Sequence, residues 1–308
     1  MSTASSPHPA PGALATLRAV GADIKLAHSV FALPFAVLGA FLARPVDAPW
    51  PRFGGQLALV VMCMVIARTW AMVVNRLADR DIDARNPRTA RRAFASGRLT
   101  RSRGIAVLIG CNLLFVGACS AFWFAFRNPW PLILAEPVLA WIAFYSFTKR
   151  FTWLCHVFLG GALAASPVAA AIAIDPGTLA HTPALWLLAL MVLLWVAGFD
   201  VIYALQDVDV DRAENLWSIP SRLGVNAAIW ISRGLHAAAF GALVVAWRAE
   251  PRFGPVFAAA AGIVGVLLIT EHAILARRGK AGLEMAFFTV NGVVSCVLGA
   301  AGCVDVIL

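Results

Sequence analysis

Charge is scarce in this chain. Asp, Glu, Lys and Arg supply only 13% of its 308 residues, whereas soluble domains run nearer a quarter. That scarcity excludes an ordinary water-soluble domain. With 61% hydrophobic residues and a mean hydropathy of +0.80, the chain belongs in a bilayer. Paired cysteines are missing too. Cys63, Cys111, Cys119, Cys155, Cys296 and Cys303 show no Cys-x-x-Cys spacing, and most lie inside apolar runs. They read as small core residues, not as disulfides or zinc ligands. No cleavable signal is evident, and residues 1–12, rich in Ser, Pro and Ala, read as a disordered tail ahead of one membrane domain over 13–308. The net charge of +9 calls for no nucleic acid, because Lys and Arg gather in the loops of membrane proteins.

What the chain has in abundance is apolar length. Nine stretches are long enough, or nearly so, to span: 27–43, 53–75, 104–126, 130–148, 154–174, 183–205, 226–247, 254–276 and 285–308. They predict an all-α integral membrane bundle of nine transmembrane helices. Of the 25 basic residues, 19 fall on the N-terminal side of this topology and five on the other, with Arg68 inside the second span. The positive-inside rule then puts the N-terminus in the cytoplasm.

Two acidic clusters close spans on that side. In the first, Asn75, Asp79 and Asp83 stand four residues apart, on one face of a helix over two turns. Three oxygen-bearing side chains in line suit a hard divalent cation such as Mg2+, although a solvated helix end is the plainer reading of this cluster alone. The second, Tyr203, Asp207 and Asp211, repeats the spacing four spans later. Two facing lines of carboxylates repel unless cations sit between them, which favours the metal reading and a bundle pseudo-repeated by a four-helix offset. Mg2+ is usually held by a few carboxylates plus substrate phosphates. A diphosphate bridged between the clusters, with a lipid-like tail in the apolar bundle, satisfies that pattern. Asp81 and Asp209 point off the metal face.

These motifs resemble the UbiA superfamily of intramembrane aromatic prenyltransferases over nearly the whole chain. Its first motif, Asn-Asp-x-x-Asp-x-x-x-Asp, matches Asn75, Asp79 and Asp83, with Arg76 in place of its first Asp; its second, Asp-x-x-x-Asp, matches Asp207 and Asp211. The tracts from Tyr145 through Lys149 and Arg150, and from Ser218 to Gly224, resemble family segments as well. The resemblance implies that Asn75, Asp79, Asp83, Asp207 and Asp211 hold Mg2+ on the diphosphate of a polyprenyl donor. It further implies that Arg80, Lys149 and Arg150 hold diphosphate oxygens, with Tyr203 beside them, and that an aromatic acceptor attacks through a ring carbon. The opening Ile24-Lys25-Leu-Ala-His28 through Pro34 resembles the 4-hydroxybenzoate polyprenyltransferase branch, some of whose members serve the futalosine route to menaquinone. Lys25 is thereby a candidate for the acceptor carboxylate. The implied setting is the inner membrane, with the lipid bilayer, a polyprenyl diphosphate and a small aromatic acid as partners. The acceptor is expected to be 4-hydroxybenzoate, or alternatively 1,4-dihydroxy-6-naphthoate.

Three further expectations follow. Arg68 and Asp200 are charges within spans, where isolated ions are costly, and an ion pair between the second and sixth helices is the reading preferred for them. His28 reads as an interfacial residue, and His156, His236 and His272 carry no metal-binding pattern. A carrier for an anionic lipid competes with the enzyme reading. Transporter sites lie near the bilayer midplane, however, whereas these acids close the helix ends.

Overall fold

The computed structural model describes residues 30–279 and 286–308, together with Thr16, Ala19, Val20, Gly21, Asp23 and Leu283. Among the described residues the regular structure is helical throughout. In chain order the helices are α1 (Leu33–Leu42), α2 (Trp50–Ala78), α3 (Arg80–Arg85), α4 (Arg101–Phe126), α5 (Trp130–Thr148) and α6 (Cys155–Ile174). They continue with α7 (Pro183–Tyr203), α8 (Val208–Ala213), α9 (Ile219–Leu223), α10 (Val225–Ala249), α11 (Pro255–Arg278) and α12 (Asn291–Ile307). The starts follow local chemistry. Proline occupies the first turn of α1, α2, α5, α7 and α11, where its missing N–H costs no hydrogen bond. Thr100 caps α4 by accepting from the Arg103 N–H.

Among the described residues eight helices are long and apolar enough to cross a bilayer. The expected span at 27–43 takes the form of α1, whose 10 residues fall short of the roughly 20 a crossing needs, and residues 24–29 lie outside the described set. The bundle turns its apolar side chains outward in the way a lipid-facing surface requires. Leu113, Phe124, Trp230 and Ile269 are 66%, 73%, 69% and 72% exposed.

Neighbours in the chain are neighbours in space: α1, α2, α4, α5, α6, α7, α10, α11 and α12 pack in that order, and α12 returns to α1. Helix α7 is the most enclosed, with Trp195 fully buried between Phe35 and Phe199. It gains that position through small residues. A Cβ added at Gly160 of α6 would lie 2.3 Å from the Leu193 carbonyl oxygen of α7, and one at Gly198 would lie 2.3 Å from the His236 ring of α10. Small residues at helix crossings are how membrane helices approach closely where lipid removes the hydrophobic drive.

The loops after α2 and after α7 meet at one end, where Arg85 reaches Glu214, while the 3-10 turn Pro176–Ala180 joins α6 to α7 at the other. Reporters fused at residues 90 and 215 are therefore expected to mark one side of the membrane and a reporter at 178 the opposite side. Opposite sides for 90 and 215 would contradict the fold.

Candidate active site

Helix α2 has 29 residues, about 43 Å at 1.5 Å per residue, so it carries its last turn beyond a hydrocarbon core of about 30 Å. It does not run on through the acidic cluster. It stops at Ala78, and Asp79, with φ −96° and ψ 5°, is the elbow from which α3 sets out. The second cluster repeats the device. After α7 and the 3-10 turn Ala204–Gln206, Asp207 adopts φ −107° and ψ 7°, and α8 follows. Both residues occupy the bridge region of backbone space, where many active-site residues sit. The expected straight lines over two helical turns are thus two elbows. The four-residue spacing survives across them, because the Asp83 N–H still bonds the Asp79 carbonyl at 2.7 Å and the Asp211 N–H bonds that of Asp207 at 2.7 Å.

Each carboxylate meets a polar or cationic partner. Asp79, 3% exposed, accepts from Lys149 Nζ at 2.6 Å and from Arg150 Nη2 at 2.8 Å, with Asn75 Nδ2 at 3.3 Å. Asp83 receives Arg92 Nη1 on both oxygens at 2.8 Å. Asp207 is clasped by Arg88 through Nε at 3.0 Å and Nη2 at 2.5 Å, and by Asn86 Nδ2 at 3.0 Å. Arg88 also donates to the Tyr203 hydroxyl at 3.3 Å. Burial would by itself lower the pKa of Arg88, but its bonds to Asp207 outweigh that and hold it above the ordinary value. Asp211 accepts from the Ser218 hydroxyl at 2.7 Å; burial pushes its carboxyl up, while Ser218 and Lys149 pull against that.

The expected site residues are sorted by this geometry. Asn75, Asp79, Asp83, Lys149, Arg150, Tyr203, Asp207 and Asp211 come together at one end. Asp81 and Asp209 are exposed, off the site face. Arg80 turns instead to the Phe94 carbonyl at 3.3 Å. Arg76 turns away to the Asn75 side-chain oxygen at 3.1 Å and to Asp23 at 3.4 Å, so the departure from the family motif has its own partners and leaves the carboxylates in place. Lys25 and His28 lie outside the described residues.

One expectation is corrected. Asp200 does not pair with Arg68: His156 Nδ1 lies 2.7 Å from Asp200 Oδ2, and Arg68 forms no ion pair among the described residues. The reason is packing, since Gly160 lets α6 and not α2 lie against that face of α7. Asn86, Arg88 and Arg92 were not singled out from the sequence. Their only signal was membership of the arginine-rich loop, because loop residues have no periodicity to mark their direction.

The oxygen-only donors suit a hard cation. Among the described residues no three His, Cys, Asp or Glu side chains converge closely enough to hold a metal by themselves.

An apolar helical bundle with carboxylates, lysine and arginines gathered at one end defines the class of multi-pass membrane proteins. Residues 32–293 match the UbiA prenyltransferase family, and the chain belongs to that family. It is 32% identical over 160 residues to the 4-hydroxybenzoate octaprenyltransferase of Pseudomonas fluorescens (strain SBW25), covering 51% of this chain and 50% of the relative. With the protein of that name from Alcanivorax borkumensis it shares 29% over 258 residues, or 81% and 84% of the two chains. The chain thus spans about half the length of the first of these curated relatives. The apo structure of a UbiA homolog from Aeropyrum pernix K1 is similar with a TM-score of 0.79 and 30% identity, over 90% of this chain and 98% of that one. A UbiA homolog from Archaeoglobus fulgidus, bound to GPP and Mg2+, shares the fold with a TM-score of 0.66 at 15% identity, over 94% and 100%.

Proposed function

We propose that this chain transfers a polyprenyl group from a polyprenyl diphosphate to a ring carbon of a small phenolic acid, 4-hydroxybenzoate first and 1,4-dihydroxy-6-naphthoate second. The observation that carries this reading is the pairing of both acidic elbows with basic side chains at one end of an apolar bundle. Lys149 and Arg150 hold Asp79, and Arg88 holds Asp207. Such an end binds a diphosphate while the bundle and the bilayer take the chain. The names of the curated relatives support the acceptor. The site opens to the cytoplasmic face of the inner membrane in this reading, as the charge bias of the loops suggests.

Asp79, Asp83, Asp207 and Asp211, with Asn75, would hold Mg2+, which when bound neutralises charge on the leaving diphosphate. Lys149, Arg150, Arg88 and Arg92 bind and orient the diphosphate oxygens through charge-assisted hydrogen bonds. The allylic C–O bond breaks with its electron pair going to the diphosphate, and the ring carbon beside the acceptor hydroxyl forms the new C–C bond. Lys25 is proposed to hold the acceptor carboxylate.

The test gives purified protein one polyprenyl diphosphate and Mg2+ with each acceptor in turn. Prenylated 4-hydroxybenzoate and diphosphate release are expected. Product from the naphthoate alone would move the chain to menaquinone synthesis, and no diphosphate release with any acceptor would favour a lipid-anion carrier. Lys25→Met is expected to raise the acceptor KM far more than the donor KM.

A further inference from the structure

Transfer to an aromatic ring leaves one proton to be removed, and none of the groups assigned so far receives it. Asp200 is a carboxylate within a membrane-crossing helix, and an ionisable residue there is costly unless it is used. It lies on α7 three residues before Tyr203, about one turn away, and α7 leads through the 3-10 turn Ala204–Gln206 to the Asp207 elbow. Asp200 therefore lies about 4–5 Å back along α7 from Tyr203, on the bundle side of the Asp207 elbow. A prenyl chain leading from a diphosphate at the elbows into the bundle would carry its allylic carbon towards this carboxylate, with the attacking ring carbon about 3–3.5 Å from that carbon.

Its setting is built, not incidental. The Ile219 N–H points at His156 Nε2 at 3.2 Å, so that nitrogen is the acceptor and the ring proton sits on Nδ1. His156 Nδ1–H then donates to Asp200 Oδ2 at 2.7 Å. His156 is 3% exposed and held on both nitrogens; Asp200 keeps 23% exposure, so one partner is closed and the other open. His156 also lies within electrostatic reach of Asp211, as does Lys149, which joins it to the site already described.

We propose that Asp200 is the base that takes the ring proton, with His156 as its positioning residue; this rests on the prenyl-transfer reading above. The C–C bond forms at the ring carbon, and the C–H bond at that carbon then breaks. Its electron pair restores the aromatic ring, and the proton goes to the open oxygen of Asp200. His156 does not accept that proton, because Nδ1 already carries one and Nε2 already receives the Ile219 N–H. The proton therefore leaves from the exposed side of Asp200, which restores the carboxylate.

The test compares parent, Asp200→Asn and Asp200→Glu in lipid, using 4-hydroxybenzoate with hydrogen or deuterium at the ring carbons flanking the hydroxyl. Asp200→Asn is expected to lower kcat by about 10²–10³-fold with the donor KM unchanged. A primary isotope effect on kcat should appear that the parent lacks, and Asp200→Glu should recover part of the rate. A tie that only holds α6 to α7 would move stability and not the isotope effect. Parent-like transfer by Asp200→Asn, or a slower rate that is equal for both acceptors, overturns the proposal and assigns the proton to the departing diphosphate. Should Asp200→Asn fail to fold, Asp200→Glu decides: parent rate without an isotope effect overturns the proposal. A parent that prenylates nothing would instead sink the functional reading itself, so the two failures are distinguishable.

Discussion

Asp79→Asn is expected to abolish nearly all transfer, with kcat/KM for the donor lowered by about 10³-fold, while the protein remains folded. The change keeps the size of the side chain and removes the charge that meets both Lys149 and Arg150. Losing one partner of a buried ion pair can cost about 3–5 kcal/mol when the survivor is left without water. Here the survivors, Lys149 and Arg150, are 29% and 31% exposed, so water replaces much of what they lose. The damage should therefore fall on diphosphate handling and not on stability. Asp207→Asn should act in the same sense through Arg88. Asp81→Asn and Asp209→Asn, at exposed positions, serve as controls and should stay within a few-fold of the parent. Steady-state kinetics with varied donor, beside thermal unfolding in detergent, checks this. Equal losses at all four positions would count against the two-elbow site.

The second large effect is on stability. Gly160→Ala is expected to destabilise the bundle by about 1–3 kcal/mol or more, the usual cost of overpacking a close contact. The added methyl would meet the Leu193 carbonyl at 2.3 Å, and backbone cannot swing aside as a side chain can. Gly160 lies one turn from His156, and Leu193 two turns from Asp200, so parting α6 from α7 also pulls at that hydrogen bond. Gly117→Ala, on a helix face with nothing within 4 Å, is the control and should be neutral or slightly stabilising. Thermal unfolding of the three proteins in one detergent makes the comparison; a parent-like Gly160→Ala would deny the close crossing.

How far the sequence foretold this arrangement depends on the kind of signal each residue leaves. Apolar runs announce spans because the bilayer sets their length, and the eight long helices lie where those runs do. Asp79, Asp83, Asp207 and Asp211 were legible because their spacing of four persists through the elbows. The elbows themselves were not, since a rotation of ψ at one residue leaves no trace in side-chain order. The partner of Asp200 was misread for a related reason: His156 is 44 residues away, and only the Gly160 crossing brings it near. Arg88 and Arg92 reach Asp207 and Asp83 from a loop, where neither helical nor strand periodicity says which way a side chain turns.

The two ties across the basic end differ in how much water reaches them. Arg85 and Glu214 are 56% and 21% exposed, whereas Asp79 is 3% exposed. The screening length shrinks from about 10 Å at 0.1 M salt to about 3 Å at 1 M, and open pairs feel that far more than enclosed ones. Ionic strength is therefore expected to act on the two ties unequally. Added salt slackens the outer tie between the two acidic turns while the inner clasp on Asp79 holds.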